Sequence, residues 1–148
     1  MISVSRKYKW HDIQIYDEKG EGLIPALNGC EAELKRPESR HMLLLFPYIG
    51  IQFKDDKDAQ KSGLEAQGLV QDIFPDCVRG VRGVEVDGST PTVEDFSSDP
   101  AFVPFVWGVF NKLILIGNMT EEEEKNLERP SGFADPVTLD QVLARSAD

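Results

Sequence analysis

Apolar and polar residues alternate near the start of the chain. In residues 7–16 the apolar positions, separated by polar residues, are Tyr8, Trp10, Ile13 and Ile15. This period of two predicts a strand, and its change of phase after Trp10 predicts a bulge or break near His11. A polar, glycine-bearing turn follows, so residues 23–27 and 30–35 are predicted as returning strands. The first part of the chain therefore predicts an antiparallel sheet of two or three strands.

A proline marks the start of the next predicted element. Pro37, followed by an acidic residue, is typical of the first turn of a helix, where proline loses no hydrogen bond and an acid faces the positive end of the helix dipole. A helix through residues 42–46 is therefore predicted, and Pro47 and Gly50 break or kink it. Residues 48–53 are compatible with either a second helical stretch or an extended segment.

A second helical pattern follows the mixed-charge, solvated residues 54–61. Its apolar residues recur at spacings compatible with one helical face and are Leu64, Leu69, Val70, Ile73 and Phe74. Pro75 is predicted to end this helix. Gly63 and Gly68 weaken it by about 1 kcal/mol each relative to alanine, so we expect the helix to depend on packing.

Residues 100–116 form the most apolar stretch of the chain. Asp99 is a suitable N-cap for a helix there, and Gly117 or Asn118 is a suitable end. The apolar side chains cover most of the helix circumference, which is typical of a central helix or of an interface. The run contains a polar pair and is shorter than the roughly 20 residues that cross a bilayer. It predicts a core helix, not a membrane span.

The remaining segments complete the predicted architecture. Residues 77–88 and 89–99 are predicted as a short extended piece and a connecting loop. Thr120 with Glu123 matches a capping box, which predicts a new helix start. Together these elements predict an α+β fold, with a small N-terminal antiparallel sheet followed by a mainly helical bundle. Residues 1–129 are predicted as one domain, and residues 130–148 as a C-terminal tail compatible with a short helix.

Composition limits the classes of partner. The 148 residues are enough for one domain, and 26 acids against 16 bases give a formal net charge of −10. Such a charge repels nucleic acid and anionic membranes, so neither is predicted as a partner. It favours basic or apolar protein partners, although many solvated cytosolic proteins are equally acidic. No secretion signal is visible at the N-terminus, and a cytoplasmic location is expected.

The sequence contains no recognisable catalytic or metal-binding motif. His11 and His41 have no serine or cysteine partner in a nucleophile motif. Cys30 and Cys77 lack metal-ligand spacing and are expected to be reduced and at least partly buried. The acids at residues 55–58 lack the glycine and glutamate of a calcium loop. We therefore predict no enzyme, no catalytic residue, no cofactor and no metal.

Two glycines in Gly80-Val-Arg-Gly83 have the spacing of an RNA-binding loop. That loop joins two helices, whereas an alternating run and the turn pair Asp87-Gly88 follow here. The acidic net charge also opposes RNA binding. A structural reason for the two glycines, such as positive φ or close packing, is the stronger interpretation.

Three features of residues 77–126 occur in a fixed order. They are the segment Cys77-Val-Arg-Gly-Val-Arg-Gly-Val-Glu-Val-Asp-Gly88, the apolar helix at residues 102–116 and the acidic run Thr120-Glu-Glu-Glu-Glu-Lys-Asn126. This order resembles the tail assembly chaperones of long-tailed bacteriophages, many of which have V-x-G-h-x-G-V-x-D-x-G before an apolar helix and an acidic run. Arg82, where an apolar residue or tryptophan is usual, departs from the pattern, as does the long tail.

The resemblance implies a non-enzymatic protein of the infected bacterial cytoplasm. Such a chaperone binds the tape measure protein and helps to recruit tail tube protein. The residues predicted to contact a partner are Phe102, Phe105, Trp107, Phe110, Glu121, Glu122, Glu123 and Glu124. The aromatic residues are equally compatible with a core, and the glutamates with a solvated helix start. Homo-oligomerisation stays open, as do two alternatives: an acidic regulatory or inhibitory phage protein that binds a host protein, and a structural tail or head-completion component.

Overall fold

The computed structural model describes residues 1–15, 25–48 and 56–120, which form one antiparallel sheet and five α-helices. The strands are β1 (Lys9–Asp12), β2 (Glu31–Leu34) and β3 (Val78–Arg82). The helices are α1 (Ser39–Leu45), α2 (Asp56–Gln67), α3 (Val70–Cys77), α4 (Val93–Ser98) and α5 (Val103–Gly117). Single 3-10 turns form at Pro25–Leu27, Phe46–Tyr48 and Pro100–Phe102. The predicted α+β class is confirmed.

The sheet has the order β1-β2-β3, and both pairs of strands are antiparallel. The predicted strand at residues 30–35 is confirmed as β2. Residues 25–27 instead form a 3-10 turn, in which the Cys30 amide donates to the Leu27 carbonyl at 2.9 Å. Pro25 has no amide hydrogen to give to a strand ladder, so the predicted strand does not form there. The third strand is β3, which follows α3.

The strand β1 runs through His11 without interruption. The predicted bulge near His11 is wrong, because this histidine is buried on the same side as Ile13 and Ile15. The period of two is therefore continuous once His11 is counted as an inward residue. The irregularity of the sheet lies elsewhere, between Glu33 and Leu34 where β2 pairs with β3.

The helix α1 begins at Ser39, two residues after the proline that the sequence places in its first turn. Its N-cap is Glu38, whose backbone amide donates to Nδ1 of His41 at 3.0 Å. His41 thus has the role that glutamate or glutamine usually has in a capping box. Pro37 precedes the cap and does not belong to the first turn.

Two helices replace the single predicted helix at residues 64–74. The helix α2 ends at Gln67, and the amides of Gly68 and Leu69 donate to carbonyls three residues back, which tightens the last turn. Pro75 lies inside α3 and does not end it. The helix α3 buries its side chains Ile73, Phe74 and Cys77 in the core. This burial compensates for the backbone hydrogen bond that proline cannot make.

The helix α4 lies in the segment that was predicted as a loop. Thr92 accepts a hydrogen bond from the Asp95 amide at 3.2 Å, and Asp95 accepts one from the Thr92 amide at 2.8 Å. This is a capping box with aspartate in place of the usual glutamate. The buried side chain of Gln67 donates to the carbonyls of Phe96 and Asp99 at 2.9 and 2.6 Å, which ties α4 to α2.

The helix α5 is the centre of the core, as predicted. Its buried residues are Val103, Phe105, Val106, Trp107, Gly108, Val109, Phe110, Leu113, Ile114, Leu115 and Ile116. The predicted cap, Asp99, accepts from the Ala101 amide at 2.9 Å and starts the 3-10 turn that leads into the helix. Asn118 is the C-cap. The helix predicted to start at Thr120 would run through residues 121–129, which lie outside the described residues, as do the boundary at residue 129 and the tail.

The carbonyl end of α5 is bound by an arginine from the end of β2. The Arg36 guanidinium donates to the carbonyls of Ile116 at 2.8 Å and Gly117 at 3.1 Å, and also to that of Met119. The last carbonyls of a helix have no partner within it, and they lie at its negative dipole end. Arg36 therefore satisfies these acceptors with a positive charge and fixes the end of α5 against the sheet.

Two glycines allow close packing around α5. A Cβ atom at Gly108 would lie 2.5 Å from Cγ2 of Ile13 in the segment after β1. A Cβ atom at Gly63 of α2 would lie 2.0 Å from Cγ1 of Val103 in α5. Both distances are far below van der Waals contact, so α5 approaches the sheet and α2 only because these residues have no side chain.

We predict that Gly108→Ala destabilises the fold, although alanine favours helix formation over glycine. The added methyl group meets the buried Ile13, and such overpacking typically costs about 1–3 kcal/mol. Urea denaturation monitored by circular dichroism measures the free energy of unfolding. Lys61→Ala, at an exposed helical site, is the control and should change that free energy by less than about 0.5 kcal/mol. A Gly108→Ala protein as stable as the wild type contradicts this packing.

Candidate protein-binding surface

Three of the four rings predicted to contact a partner lie in the core. The exposed fractions of Phe105, Trp107 and Phe110 are 2%, 3% and 0%. The Trp107 ring meets Tyr48 edge to face with centroids 5.2 Å apart, and Phe110 meets Phe74 in the same way at 5.8 Å. Their burial disagrees with the prediction that these three rings face a partner. A helix with apolar residues on most sides is instead covered by the rest of the fold and forms the centre of its core.

The fourth ring, Phe102, is half-buried in the 3-10 turn before α5. It contacts Phe96 with centroids 5.1 Å apart, and Phe96 in turn stacks on Phe105 at 5.2 Å. Phe102 is therefore the outer member of an aromatic cluster. The predicted acidic contacts Glu121, Glu122, Glu123 and Glu124 lie outside the described residues.

His41 lies in a polar cluster between α1 and α3. Its Nδ1 accepts the Glu38 amide hydrogen, which leaves Nε2 to donate to Oδ2 of Asp76 at 3.2 Å. Arg40 donates to the same Asp76 oxygen at 3.0 Å, and these two hydrogen bonds hold the pKa of Asp76 below its ordinary value. Both ring nitrogens of His41 are occupied by these hydrogen bonds, so neither is left to take a proton from a nucleophile. Within the described chain, the hydrogen-bond partners of the His41 ring are Glu38 and Asp76, and neither is a serine or cysteine that could act as a nucleophile.

Both cysteines are free and buried, as predicted. Burial raises the pKa of the Cys77 thiol to about 12, and the neighbouring Asp76 carboxylate acts in the same direction. Burial also raises the pKa of Cys30. A thiol with a raised pKa is a poor nucleophile and a poor metal ligand, because both roles require the thiolate. Among the described residues, no group of three or more histidine, cysteine, aspartate or glutamate side chains is placed to hold a metal ion.

The glycines of Gly80-Val-Arg-Gly83 have structural roles, as predicted. Gly83 has a φ of 82°, and a Cβ atom there would lie 2.6 Å from the Gly29 carbonyl oxygen. At Gly80 a Cβ atom would lie 3.2 Å from the Trp10 ring. The turn pair Asp87-Gly88 is also confirmed, since both residues have positive φ between Val86 and Ser89, which exchange backbone hydrogen bonds.

An exposed apolar stripe lies on α1 and the 3-10 turn after it. Leu43 is 73% exposed, Phe46 is 69% exposed, and Leu44 beside them is 38% exposed. Leu43 and Phe46 are three positions apart, so their side chains are neighbours on one helical face. Leu45, in the same run of leucines, is completely buried. We call Leu43, Leu44 and Phe46 the apolar stripe.

The sequence did not single out the apolar stripe. Residues 42–46 are all apolar, so their pattern alone does not show which of them face the core. The direction is set by where α1 packs, because its buried side carries His41 and Leu45. A cluster of large apolar side chains that stays exposed is a common mark of a protein-binding surface.

One stretch of the described chain, Pro100–Gly117, is long and apolar enough to cross a membrane by length and composition. Its 18 residues have a mean hydropathy of 1.5. More than half of it is buried inside the fold, which is also the property of a core helix. The stretch is therefore weak support for a membrane span.

No protein-family model, curated protein or solved structure matches this chain. The resemblance of residues 77–126 to tail assembly chaperones stays a prediction from the sequence. The apolar stripe is the feature of the described surface that most favours protein binding.

The pKa of buried His11 predicts a loss of stability in mild acid. Burial lowers this pKa from 6.5 to about 4, and the positive charges of Lys112 and Lys9 add to the effect. Below about pH 6.5 the unfolded chain binds the proton first, so the stabilising contribution declines as the pH falls toward 4. The full loss is on the order of 3 kcal/mol.

Urea denaturation between pH 7 and pH 5 tests this prediction. The free energy of unfolding should fall less steeply with decreasing pH in His11→Gln than in the wild type, because glutamine does not titrate. The comparison uses the slope with pH, so it stands even if the variant is less stable throughout. Parallel curves for the two proteins contradict a lowered pKa, as does an NMR titration in which His11 protonates near 6.5.

Proposed function

We propose that this chain is a tail assembly chaperone of a long-tailed bacteriophage, which binds the tape measure protein through the apolar stripe. The exposure of Leu43 and Phe46 is the observation that carries the proposal. Such a chaperone must hold a long helical protein in solution while tail tube protein assembles around it. That task needs an apolar contact surface on a chain that itself stays soluble, and the net charge of −10 favours solubility.

The stripe suits an amphipathic helix as its ligand. A helical partner presents apolar side chains at spacings of three and four residues, and these pack against a similar row. Full burial of Leu43 or Phe46 contributes about 1.5–3 kcal/mol each before the entropy lost on association is subtracted. A stripe of this size therefore supports reversible binding, which a chaperone that must release its substrate requires.

The position of the stripe revises the contact surface that the sequence predicted. Phe105, Trp107 and Phe110 are buried, and exposing them for a partner would open the core. Leu43 and Phe46 need no rearrangement to meet a partner. The segments that carry the resemblance form β3, the turn at Asp87-Gly88 and α5, so in this proposal they build the frame and α1 makes the contact. Recruitment of tail tube protein, through the acidic residues 121–124, is part of the same proposal.

We predict that Leu43→Glu combined with Phe46→Glu abolishes chaperone activity without unfolding the protein. Both side chains are exposed, so two glutamates should leave the melting temperature nearly unchanged but prevent apolar docking. The measurement is the soluble fraction of the tape measure protein from the same phage genome, co-expressed with wild type or variant. The expected loss is at least about tenfold, as in the removal of apolar anchor residues from an interface.

Leu64→Glu is the matched control for this experiment. Leu64 is also an exposed leucine, 48% exposed on α2, but it lies outside the stripe. This variant should keep the tape measure protein soluble. If the double variant and the control behave alike, or if the wild type does not solubilise the tape measure protein, the proposal is wrong.

Two further observations separate the proposal from its alternatives. Mass spectrometry of purified virions should lack this chain, whereas a structural tail or head-completion component would be present. Binding through the stripe should weaken little with added salt, whereas an acidic protein that blocks a basic host site loses affinity steeply. In the genome, a tape measure gene should follow closely, and an isolated early gene contradicts the proposal.

A further inference from the structure

The strand β3 lies at one edge of the described sheet. It pairs with β2 on one side, and no other described strand pairs with it. An edge strand presents a row of backbone amide and carbonyl groups that another extended chain can pair with. The exposed side chains of β3 include two arginines, Arg79 and Arg82. The edge therefore combines backbone hydrogen-bonding groups with positive charge.

Aromatic side chains of β1 and of the residue before it support both guanidinium groups. The Arg82 guanidinium lies 3.8 Å from the centroid of the Trp10 ring, and that of Arg79 lies 4.7 Å from the centroid of Tyr8. Gly80, which has no side chain, lets the Trp10 ring lie across the sheet. A guanidinium held over a ring loses less entropy when it binds a ligand, because its position is already restricted.

The two arginines differ in their partners. Arg79 donates to both carboxylate oxygens of Glu33, at 2.9 and 2.6 Å. Arg82 lies opposite Glu31 in the register, but within the described chain no carboxylate forms an ion pair with it. The Arg82 guanidinium thus has donors left for a bidentate carboxylate ligand.

We propose that the open edge of β3 binds an extended acidic peptide as a fourth strand, with Arg82 pairing one of its carboxylates. The chain itself gives an example of such pairing on the other side of β3. There the partner is Glu31-Ala-Glu33-Leu34, in which acidic and apolar residues alternate and Glu33 pairs with Arg79. A ligand strand with acids at alternate positions places its carboxylates on the arginine face of the sheet.

Two other occupants fit this edge less well. Single-stranded nucleic acid is bound by stacking on free aromatic faces, but Arg82 already covers the Trp10 ring. A second copy paired through β3 would bring the arginines of two strands together, and like charges across a strand pair are destabilising. An acidic peptide strand supplies opposite charge and matching backbone groups. This proposal depends on other residues than the proposed chaperone function.

Fluorescence anisotropy of a labelled synthetic peptide, Thr-Glu-Val-Glu-Val-Glu-Thr, tests the proposal on the full chain at low salt. We expect binding to the wild type, about tenfold weaker binding to Arg82→Gln, and unchanged binding to the control Arg6→Gln. Arg82 and Arg6 are both exposed, so neither substitution should unfold the protein, which circular dichroism checks. NMR amide shifts on peptide addition should concentrate in β3.

Three further probes test the backbone and charge parts of the proposal. A peptide with lysine in place of each glutamate should not bind, since it repels Arg82. A glutamate peptide that is N-methylated at alternate residues should bind at least about tenfold more weakly, because it lacks the strand hydrogen bonds. The Leu43→Glu and Phe46→Glu variant should bind the peptide as the wild type does.

The proposal is overturned by several results. The first is that the glutamate peptide does not bind at about 1 mM. The second is that Arg82→Gln and Arg6→Gln bind this peptide with equal affinity. The third is that the lysine peptide or the N-methylated peptide binds as tightly as the glutamate peptide. Tighter binding of an oligothymidine strand than of the glutamate peptide overturns it in favour of a nucleic-acid surface. None of these results bears on the solubility of the tape measure protein, so this proposal and the chaperone proposal fail separately.

Discussion

Burial of the apolar helix α5 is the interaction on which the rest of the described fold depends. The sheet approaches it at Gly108, α2 approaches it at Val103, and the rings of α3 and α4 meet its phenylalanines. A helix that is apolar on most sides has no solvated face, so it stays in place only if neighbours cover it all round. Arg36 fixes its carbonyl end with hydrogen bonds that a buried helix end would otherwise lack.

This central position determines where function can lie. Because the aromatic rings of α5 stabilise the core, they are not free for a partner. Among the described residues after Val4, the large exposed apolar side chains lie on α1, on the 3-10 turn after it and on α2. The sheet has a similar division. Its inner side carries His11, Ala32 and Leu34, which are buried, whereas its outer side carries the arginines that lie over the rings of Trp10 and Tyr8. The surfaces proposed for binding are thus the ones that the core leaves uncovered.

The sequence predicted the fold class, β2, α5 and the cap Asp99 of the 3-10 turn that leads into α5, because each depends on local pattern and chemistry. Its errors arose where tertiary contacts override that pattern. His11 counts as polar in an alternation but is buried, and α4 uses aspartate where a capping box usually has glutamate. For the candidate site, the apolar character of residues 42–46 was visible, but not that Leu45 faces inward and Leu43 outward. Which side of α1 faces inward depends on how α1 packs against α5, and the pattern of apolar residues within one segment does not show that packing.

Asp76 connects the two proposed surfaces. It is the penultimate residue of α3, two positions before the start of β3, and its carboxylate accepts hydrogen bonds from Arg40 and His41 of α1. Its backbone carbonyl accepts a hydrogen bond from the Tyr8 hydroxyl at 3.1 Å, and the Tyr8 ring supports Arg79. The helix that carries the apolar stripe and the strand that carries the arginines are therefore fixed to one residue. The hydrogen bonds of Asp76 restrain α1 relative to β3, so a partner that contacted both surfaces would need less ordering than one that met two unconnected elements.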